Sequence, residues 1–377
     1  MAEDAVTRRR GPATIDPQAA APPAAPDRDD EQDEMPRMRL TRRRIVLFVL
    51  FVLAAVAFLY LGLPKIAGLK QSWNRIQRGD PVWLVAGAVF ECLSYLGYVL
   101  LFRVVFVRGD SRIDWRASYQ ITMAGVAATR LFAAGGAGGL ALTAWALRRS
   151  GMEARTVACR MTAFLALLYG VYMASLVVVG IALYTGLLAG GSDFALTIVP
   201  ALFGAGVIAV VLSVALLPAG FERRARHWGE RHGRVAELAS RLATAPASMA
   251  QGTRTAIALV RTRNPQLLGA VMWWGFDIAT LWASFRAFGA APAGGVIVMA
   301  YFVGMLGNLL PLPGGIGGVD GGMIGAFAAF GVPAGLAIVA VLVYRAFAFW
   351  LPTLPGAVAY LQLRRTVNRW DEEPVAA

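Results

Sequence analysis

Charged side chains inside apolar segments are the residues of this sequence whose types could do chemistry. Carboxylates stand within such segments at Glu91 and Asp277, and a guanidinium stands within one at Arg345. Each charge of this kind costs about 2.5 to 3.5 kcal/mol on membrane-insertion scales, so it normally faces a partner, a watery cavity or a ligand. The same argument makes candidates of the other charges within or at the edges of apolar segments, which are Arg130, Arg160, Arg286 and Asp320.

A second candidate is the stretch Asn308–Asp320, which reads NLLPLPGGIGGVD in an otherwise apolar region. Proline removes a backbone donor and each glycine costs a helix about 1 kcal/mol relative to alanine, so this composition should break a membrane helix. Broken backbone persists in lipid only where protein or a water-filled cavity satisfies it. We therefore predict a substrate site here, with the candidate residues Asn308, Pro311, Pro313, Gly314, Gly315, Gly317 and Asp320.

A similar glycine-rich break, AAGGAGG, lies upstream at Ala133–Gly139 and follows Arg130. Its Gly135 and Gly136 are the matching candidate residues. A GGxGG run is typical of close packing between helices, but it also suits half-helix N-termini whose amides and dipole bind an anion. The polar residues at both ends of the downstream stretch favour binding there, because packing alone does not require them.

The charges inside the apolar segments admit two interpretations. One is structural ion pairing across the bundle, for instance between Glu91 or Asp277 and an arginine. The other is recognition of a lipid headgroup, because a guanidinium binds phosphate bidentately. In that interpretation the phosphate ligands are Arg130, Arg160 and Arg345. The ligands of a cationic headgroup or a coupling proton are then Glu91, Asp277 and Asp320.

The composition places these residues in a membrane. Hydrophobic residues make up 57% of the 377 positions, the mean hydropathy is +0.57, and several apolar runs approach 20 residues, which is typical of a polytopic α-helical membrane protein. The net charge of +13 comes from arginines clustered between the apolar runs. That pattern favours positive-inside loops facing anionic lipid over binding of nucleic acid.

The spans also lack the groups that catalysis or metal binding would need. They contain no histidine, no cysteine pair and no cluster of metal ligands. We therefore predict that the protein is not an enzyme and that it uses no metal or cofactor.

The apolar runs predict an all-α, polytopic membrane domain at residues 41–365 with about six transmembrane helices. A disordered cytoplasmic tail, residues 1–40, precedes it, and a short cytoplasmic tail, residues 366–377, follows it. Basic residues place both termini and the loop 219–264 in the cytoplasm. The predicted spans are Ile45–Leu63, Pro81–Phe106, Val157–Leu187, Phe194–Leu217, Gln266–Phe288 and Leu336–Leu363.

Two copies of one pattern divide the membrane domain, at about residues 81–187 and 265–363. Each copy begins with an acid-bearing span that opens with proline and closes with arginine, PVWLVAGAVFECLSYLGYVLLFR and PQLLGAVMWWGFDIATLWASFR. A GGxGG break and an arginine-bearing span follow in both. The basic loops orient the copies oppositely, so we predict an inverted repeat with two re-entrant helical hairpins. Such repeats with broken helices at the midplane are typical of secondary transporters.

The run NLLPLPGGIGGVDGGMIGAFAAFGVP at Asn308–Pro333, with the span that bears Arg345, resembles the lysylphosphatidylglycerol synthetase transmembrane-domain family of flippase-like membrane proteins. The likeness covers about Arg43–Arg365, although the family usually has glutamate at the position of Asp320. It implies a multi-pass protein of the bacterial inner membrane whose relatives move a modified phospholipid between leaflets. Those relatives also carry a soluble aminoacyl transferase domain. This sequence contains none, so synthesis of the lipid is not expected.

The resemblance and the inverted repeat together predict a translocase for a phospholipid or another anionic lipid, such as a polyprenyl-phosphate lipid. Two alternatives stay open. The first is an accessory membrane subunit in polyprenyl-phosphate glycan assembly or lipid glycosylation, with a glycosyltransferase as its partner. The second is a secondary transporter of a small solute or ion. A second copy of the chain or a synthase is allowed as a further protein partner.

Overall fold

The computed structural model describes residues 79–107, 109, 111–131, 137–216, 249–309 and 315–372. Within these ranges the chain forms helices joined by short turns, and no β-strand occurs among them. The predicted all-α class is confirmed. Three predictions concern segments outside these ranges, namely the tail at residues 1–40, the span Ile45–Leu63 and most of the basic loop 219–264.

Five helices in the described ranges are long and apolar enough to cross a membrane. They coincide with five of the predicted spans, with ends that differ by a few residues, and the remaining predicted span lies outside the described residues. The chain is therefore a multi-pass membrane protein. The five helices are Pro81–Phe106, Ala154–Tyr184, Phe194–Ala215, Pro265–Phe288 and Ala334–Trp370.

We number the helices in chain order. Those of the first half are α1 (Pro81–Phe106), α2 (Trp115–Leu131), α3 (Ala137–Arg149), α4 (Ala154–Tyr184) and α5 (Phe194–Ala215). Those of the second half are α6 (Gly269–Phe288), α7 (Gly294–Met305), α8 (Gly318–Ala329), α9 (Ala334–Arg345) and α10 (Leu351–Glu372). Short 3-10 turns precede α6 and follow α7, at Pro265–Leu268 and Leu306–Leu309, and a π-helical turn at Ala346–Trp350 joins α9 to α10.

Short polar side chains begin several of these helices. Asp80 accepts a hydrogen bond from the backbone N–H of Val82 at 2.9 Å, next to the proline that opens α1. Asp193 accepts one from the N–H of Leu196 at 3.1 Å at the start of α5. Each carboxylate satisfies an amide that has no partner inside its helix. The starts of these spans are thus set locally by the sequence.

Two helical hairpins, α2–α3 and α7–α8, stand where the glycine runs predict breaks. Their legs approach each other through glycine. A Cβ built on Gly139 would lie 2.4 Å from the carbonyl oxygen of Gly125, and one built on Gly307 would lie 2.3 Å from the carbonyl carbon of Gly318. A side chain at either position would push the legs apart, so the packing interpretation applies to these glycines. The side of the membrane from which each hairpin enters stays a prediction.

The helices α1 and α6 share the largest contact of any helix pair in the described chain, and they run antiparallel. Phe90 stacks on Phe276 with ring centroids 6.1 Å apart. Gly97, which follows Phe90 in α1, contacts Gly269, which precedes Phe276 in α6. A Cβ built on Gly269 would lie 2.3 Å from the carbonyl oxygen of Gly97. The first span of each repeat therefore packs on its counterpart in the opposite direction, as two inverted halves predict.

The hairpin α2–α3 is held against the last helix of the chain. Arg112, just before α2, donates a hydrogen bond to the carbonyl oxygen of Trp370 at 2.9 Å, near the end of α10. A Cβ on Gly356 would lie 2.7 Å from the Met123 carbonyl oxygen, so α2 and α10 are antiparallel and in close contact. Because α10 continues to Glu372, residues 366–372 of the predicted tail are helical.

Large apolar side chains remain exposed on the outer faces of the spans. Val82 and Val85 of α1 are 71% and 63% exposed, and Leu202 and Val210 of α5 are 62% and 63% exposed. Apolar surface of this extent is unfavourable in water. In a bilayer it is the surface that contacts the acyl chains, as expected for membrane-spanning helices.

The glycine contact between α1 and α6 predicts a position that is sensitive to one methyl group. Gly269→Ala places that group 2.3 Å from the Gly97 carbonyl oxygen, so the helices must separate. We expect the free energy of unfolding to fall by about 1 to 3 kcal/mol. Denaturant unfolding in detergent, followed by tryptophan fluorescence, measures the loss. Gly275→Ala on the same helix is the matched control because nothing lies within 4 Å of its Cβ position, and an equal loss there would contradict the contact.

Candidate functional site

Two carboxyl groups meet at the centre of the α1–α6 pair. Glu91 is 2% exposed and Asp277 is 7% exposed, and the two side chains lie within hydrogen-bonding reach of each other. The stacked rings of Phe90 and Phe276 stand beside them and hold the register of the two helices. Antiparallel packing of two acid-bearing spans thus brings both predicted acids to one point.

Asp277 is held in place by two tyrosines from other helices. Tyr301 of α7 and Tyr344 of α9 both donate hydroxyl hydrogen bonds to Oδ2 of Asp277, and the bond from Tyr344 is 2.9 Å long. All three residues are buried. Hydrogen bonds to an ionised group are about twice as strong as neutral ones. One carboxylate therefore ties α6, α7 and α9 together.

Arg130, near the end of α2, joins this cluster from the first hairpin. Its guanidinium donates to the hydroxyl oxygen of Tyr95 and, at 3.0 Å, to the backbone carbonyl oxygen of Phe349. That carbonyl lies in the π-helical turn, where the N–H of Leu351 bonds back to the carbonyl oxygen of Ala346. Such turns change which carbonyls are satisfied within a helix and are frequent at functional sites. Here the turn presents an oxygen to an arginine.

Asp320 and Arg345 form a buried ion pair between α8 and α9. The Nε atom of Arg345 lies 2.7 Å from Oδ1 of Asp320, and the two side chains are 15% and 7% exposed respectively. The other carboxylate oxygen, Oδ2, accepts the backbone N–H of Gly317 at 2.8 Å, so the same group caps the N-terminus of α8. The geometry of this pair agrees with the structural interpretation, and ligand binding by either residue stays a prediction. The α8 N-terminus, expected to receive an anion, already holds its own carboxylate.

The ring of Phe349 lies near both guanidinium groups of the cluster. The Arg130 guanidinium is 5.7 Å from the ring centroid and the Arg345 guanidinium is 5.3 Å from it. Both distances allow a cation–π attraction. The ring thus interacts with both positive charges of the cluster. The predicted first repeat contributes Glu91 and Arg130 to the cluster, and the predicted second repeat contributes Asp277, Asp320 and Arg345.

Arg160 does not join the cluster, although its residue type groups it with the other arginines. Its Nη1 atom donates to the carbonyl oxygen of Phe106 at 2.8 Å, at the C-terminal end of α1. At ~1.5 Å per residue, this carbonyl is about 22 Å along the helix from Glu91. A guanidinium at a helix C-terminus satisfies an orphan carbonyl and interacts favourably with the dipole. That contact accounts for the position of Arg160.

The downstream glycine stretch is described in part. Asn308 is exposed, and its side-chain nitrogen lies 3.4 Å from the sulfur of Met305. Gly315 and Gly317 have φ angles of +67° and +85°, which residues with a Cβ rarely adopt, so the turn before α8 requires glycine at both positions. The remaining predicted residues of the two glycine runs, Gly135, Gly136, Pro311, Pro313 and Gly314, lie outside the described residues.

The sequence reasoning missed the aromatic residues of the cluster. Tyr95, Tyr301 and Tyr344 supply hydroxyl groups to the charges, and Phe349 supplies a ring and a carbonyl oxygen. A signal for the tyrosines existed, because a tyrosine hydroxyl buried in an apolar span needs a hydrogen-bond partner. Which charged residue each hydroxyl reaches depends on how the helices pack.

Among the described residues, no group of three or more histidine, cysteine, aspartate or glutamate side chains is placed to hold a metal ion. The cluster instead combines carboxyl, guanidinium and hydroxyl groups. These groups suit the binding of a phosphate, a cationic headgroup or a proton.

The chain is similar to membrane proteins of one family. A family model described as the lysylphosphatidylglycerol synthase TM region matches residues 45–356. A UPF0104 membrane protein of Methanothermobacter thermautotrophicus is 24% identical over 314 residues, which cover 78% of this chain and 89% of that protein. No solved structure matches the chain.

Shorter matches to the same group of proteins have higher identity. A UPF0104 membrane protein of Methanothermobacter thermautotrophicus is 37% identical over 87 residues, 23% of this chain and 25% of that protein. Another, of Methanocaldococcus jannaschii, is 31% identical over 101 residues, 26% of this chain and 30% of that protein. In these two matches the chain spans less than a third of the relative's length.

The buried ion pair predicts a strong energetic coupling between its members. Arg345→Met keeps much of the apolar stem but leaves the Asp320 carboxylate without its cation, so we expect a loss of about 3 to 5 kcal/mol in unfolding free energy. Adding Asp320→Asn removes the uncompensated charge. The double variant should therefore lose less than the sum of the single variants, by about 0.5 to 3 kcal/mol. A double-mutant cycle from denaturant unfolding measures this coupling, and strictly additive losses would contradict the ion pair.

Proposed function

Because the chain belongs to the family of the lysylphosphatidylglycerol synthase transmembrane region, we propose that it is a lipid translocase, which moves an anionic lipid between the leaflets of its membrane. The family description names a phospholipid, and a lipid with a phosphate in its headgroup is the substrate class proposed here. Such a substrate needs a cationic group inside the bundle and a path on which the acyl chains stay in the bilayer.

The observation that carries the proposal is the environment of Arg130. Its guanidinium is half-buried and donates to two neutral oxygen atoms, those of Tyr95 and Phe349. Within the described part of the chain it forms no ion pair. A guanidinium has five N–H donors in a planar fork, so two bonds leave donors for an anion. A phosphate that binds there would accept hydrogen bonds from the donors that Tyr95 and Phe349 leave unused.

The place of Arg130 in the fold suits transfer between leaflets. It lies near the end of α2, where the first hairpin breaks, and the Asp320–Arg345 pair lies where the second hairpin resumes as α8. Phe349 contacts the guanidinium groups of both sites. A headgroup bound at this junction would be shared by the two halves. Broken helices at the interface of inverted halves are the usual substrate sites of secondary transporters.

The roles proposed for the other charges follow from their contacts. Arg345 is paired with Asp320, which caps α8, so we assign this pair first to the positioning of α8. Arg160 is assigned to the end of α1 through its bond to Phe106. The proposed location is the bacterial inner membrane, which the family resemblance implies. The basic loops predict that both termini lie in the cytoplasm.

Reconstituted vesicles that contain an acyl-labelled fluorescent phospholipid test the proposal. A membrane-impermeant quencher reports the label in the outer leaflet, so leaflet transfer appears as loss of the protected fraction. We expect the wild-type protein to accelerate transfer over protein-free vesicles. Arg130→Gln should lower the rate tenfold or more, because a hydrogen bond to a charged group contributes about 1.5 to 3 kcal/mol and about 1.4 kcal/mol is a factor of ten.

The matched control for this experiment is Arg286→Gln. Arg286 is an exposed arginine at the end of α6 that stacks on Trp83 with its guanidinium 5.1 Å from the ring centroid. Its loss should leave the transfer rate close to that of the wild type. Transfer no faster than in protein-free vesicles would contradict the translocase. In that case, a stably co-purified glycosyltransferase would favour the accessory subunit, and uptake of a labelled solute would favour the small-solute transporter.

A further inference from the structure

We propose that Glu91 and Asp277 form a proton-binding site in which the two carboxyl groups hold one exchangeable proton. The evidence for the proton site is the geometry of the α1–α6 contact. Its role, which is to couple lipid transfer to a proton gradient, rests on the function proposed above.

The two acids are too deeply buried and too close together to be ionised at the same time. Glu91 is 2% exposed and Asp277 is 7% exposed, and their side chains are within hydrogen-bonding reach. Two like charges in contact in a medium of low dielectric constant strongly disfavour double ionisation. Carboxyl pairs in this situation share a proton, so one proton is expected between these two groups.

The charged groups that face the pair from neighbouring helices also indicate that it holds one proton. Arg130 of α2 is the arginine whose charge acts on both acids. The neighbouring Arg345 of α9 lies 2.7 Å from Asp320 and is balanced by it. The remaining titratable groups of the cluster are the neutral hydroxyls of Tyr95, Tyr301 and Tyr344. Two carboxylates against one guanidinium leave one negative charge, and a single proton cancels it.

The hydrogen bonds assign this proton to Glu91. Oδ2 of Asp277 accepts the hydroxyl groups of Tyr301 and Tyr344, which is the arrangement of an ionised carboxylate. Oε2 of Glu91 is buried, and no donor among the described residues reaches it. An ionised Glu91 would leave this oxygen unsatisfied in the protein interior. A protonated Glu91 instead donates its O–H to Asp277, and neither group then lacks a partner.

An anion at Arg130 would make the pair hold its proton more firmly. The guanidinium charge favours the ionised form of both acids, and a phosphate bound to Arg130 would cancel that charge. Release of the proton then becomes more costly, and by thermodynamic linkage the bound proton favours binding of the anion equally. Anionic lipid and proton are therefore bound and released together. A proton gradient drives the lipid in the direction in which the protons flow.

Infrared spectroscopy of the purified protein in detergent tests the proton site directly. Exposed carboxyl groups are ionised at neutral pH, so the C=O stretch of a protonated carboxylic acid reports buried acids. We expect this band in the wild type, with a shift in D₂O that shows exchange, and its loss in both Glu91→Gln and Asp277→Asn. Loss of the band in Asp277→Asn is the more specific result. In that variant the charge of Glu91 is balanced by Arg130, so Glu91 needs no proton and gives no band.

The matched controls for the infrared experiment are Glu153→Gln and Asp193→Asn, which change exposed carboxylates and should keep the band. Absence of the band from the wild type overturns the site. Persistence in Asp277→Asn also overturns it, because burial of Glu91 alone would then hold the proton. If thermal unfolding shows that Asp277→Asn does not fold, persistence of the wild-type band in Glu91→Gln overturns the site, because the amide of that variant can donate to Asp277 in place of the proton.

Vesicles with an imposed pH gradient and a clamped membrane potential test the coupling. With one proton moved per lipid, a difference of one pH unit should shift the steady-state leaflet ratio of labelled lipid by about tenfold. Glu91→Gln should abolish the shift, and Glu153→Gln should retain it. Wild-type transfer without a shift overturns the coupling and leaves the translocase proposal intact. Absence of transfer overturns the translocase proposal and the coupling together, whereas the infrared band still decides the proton site.

Discussion

The close contact between α1 and α6 is the constraint on which the rest of the structure depends. Gly97 and Gly269 let the two helices approach until a methyl group no longer fits between their backbones. At that separation Glu91 and Asp277 face each other where both are almost fully buried. Charge in such a place is stable only when it is compensated. The tyrosines of α7 and α9 and the arginine of α2 supply that compensation, and in doing so they hold three further helices against the central pair.

Irregular backbone and buried charge stabilise each other in this protein. The π-helical turn at Ala346–Trp350 presents the Phe349 carbonyl oxygen to Arg130, and the glycine turn before α8 presents an amide to Asp320. Non-helical backbone persists in a membrane only where internal groups satisfy it. Buried charges persist only where they find donors and acceptors. Each break in a helix therefore provides the hydrogen-bonding groups that a neighbouring charge needs.

The acids of the cluster differ in their proposed roles because their partners differ. Asp320 lies against a cation through Oδ1 and caps a helix N-terminus through Oδ2, so its first role is to hold α8 on α9. Asp277 receives neutral hydroxyl groups, and Glu91 has an oxygen that no donor in the described chain reaches. Two acids that share one arginine, Arg130, are left with a position for a proton.

The sequence by itself determined the all-α class, the five spans of the described chain and the places of the helix breaks, because apolar length and helix breaking are local properties. The cost of a charge in lipid also singled out the buried charges, together with Arg286, which is exposed. Its resemblance to the family is confirmed over residues 45–356. Only the tertiary structure decided which charges meet. The residue types group Arg160 with Arg130 and Asp320 with Glu91, yet Arg160 binds the end of α1 and Asp320 pairs with Arg345. Partners of this kind depend on helix register and on which helix faces meet, and both follow from contacts between residues far apart in the sequence.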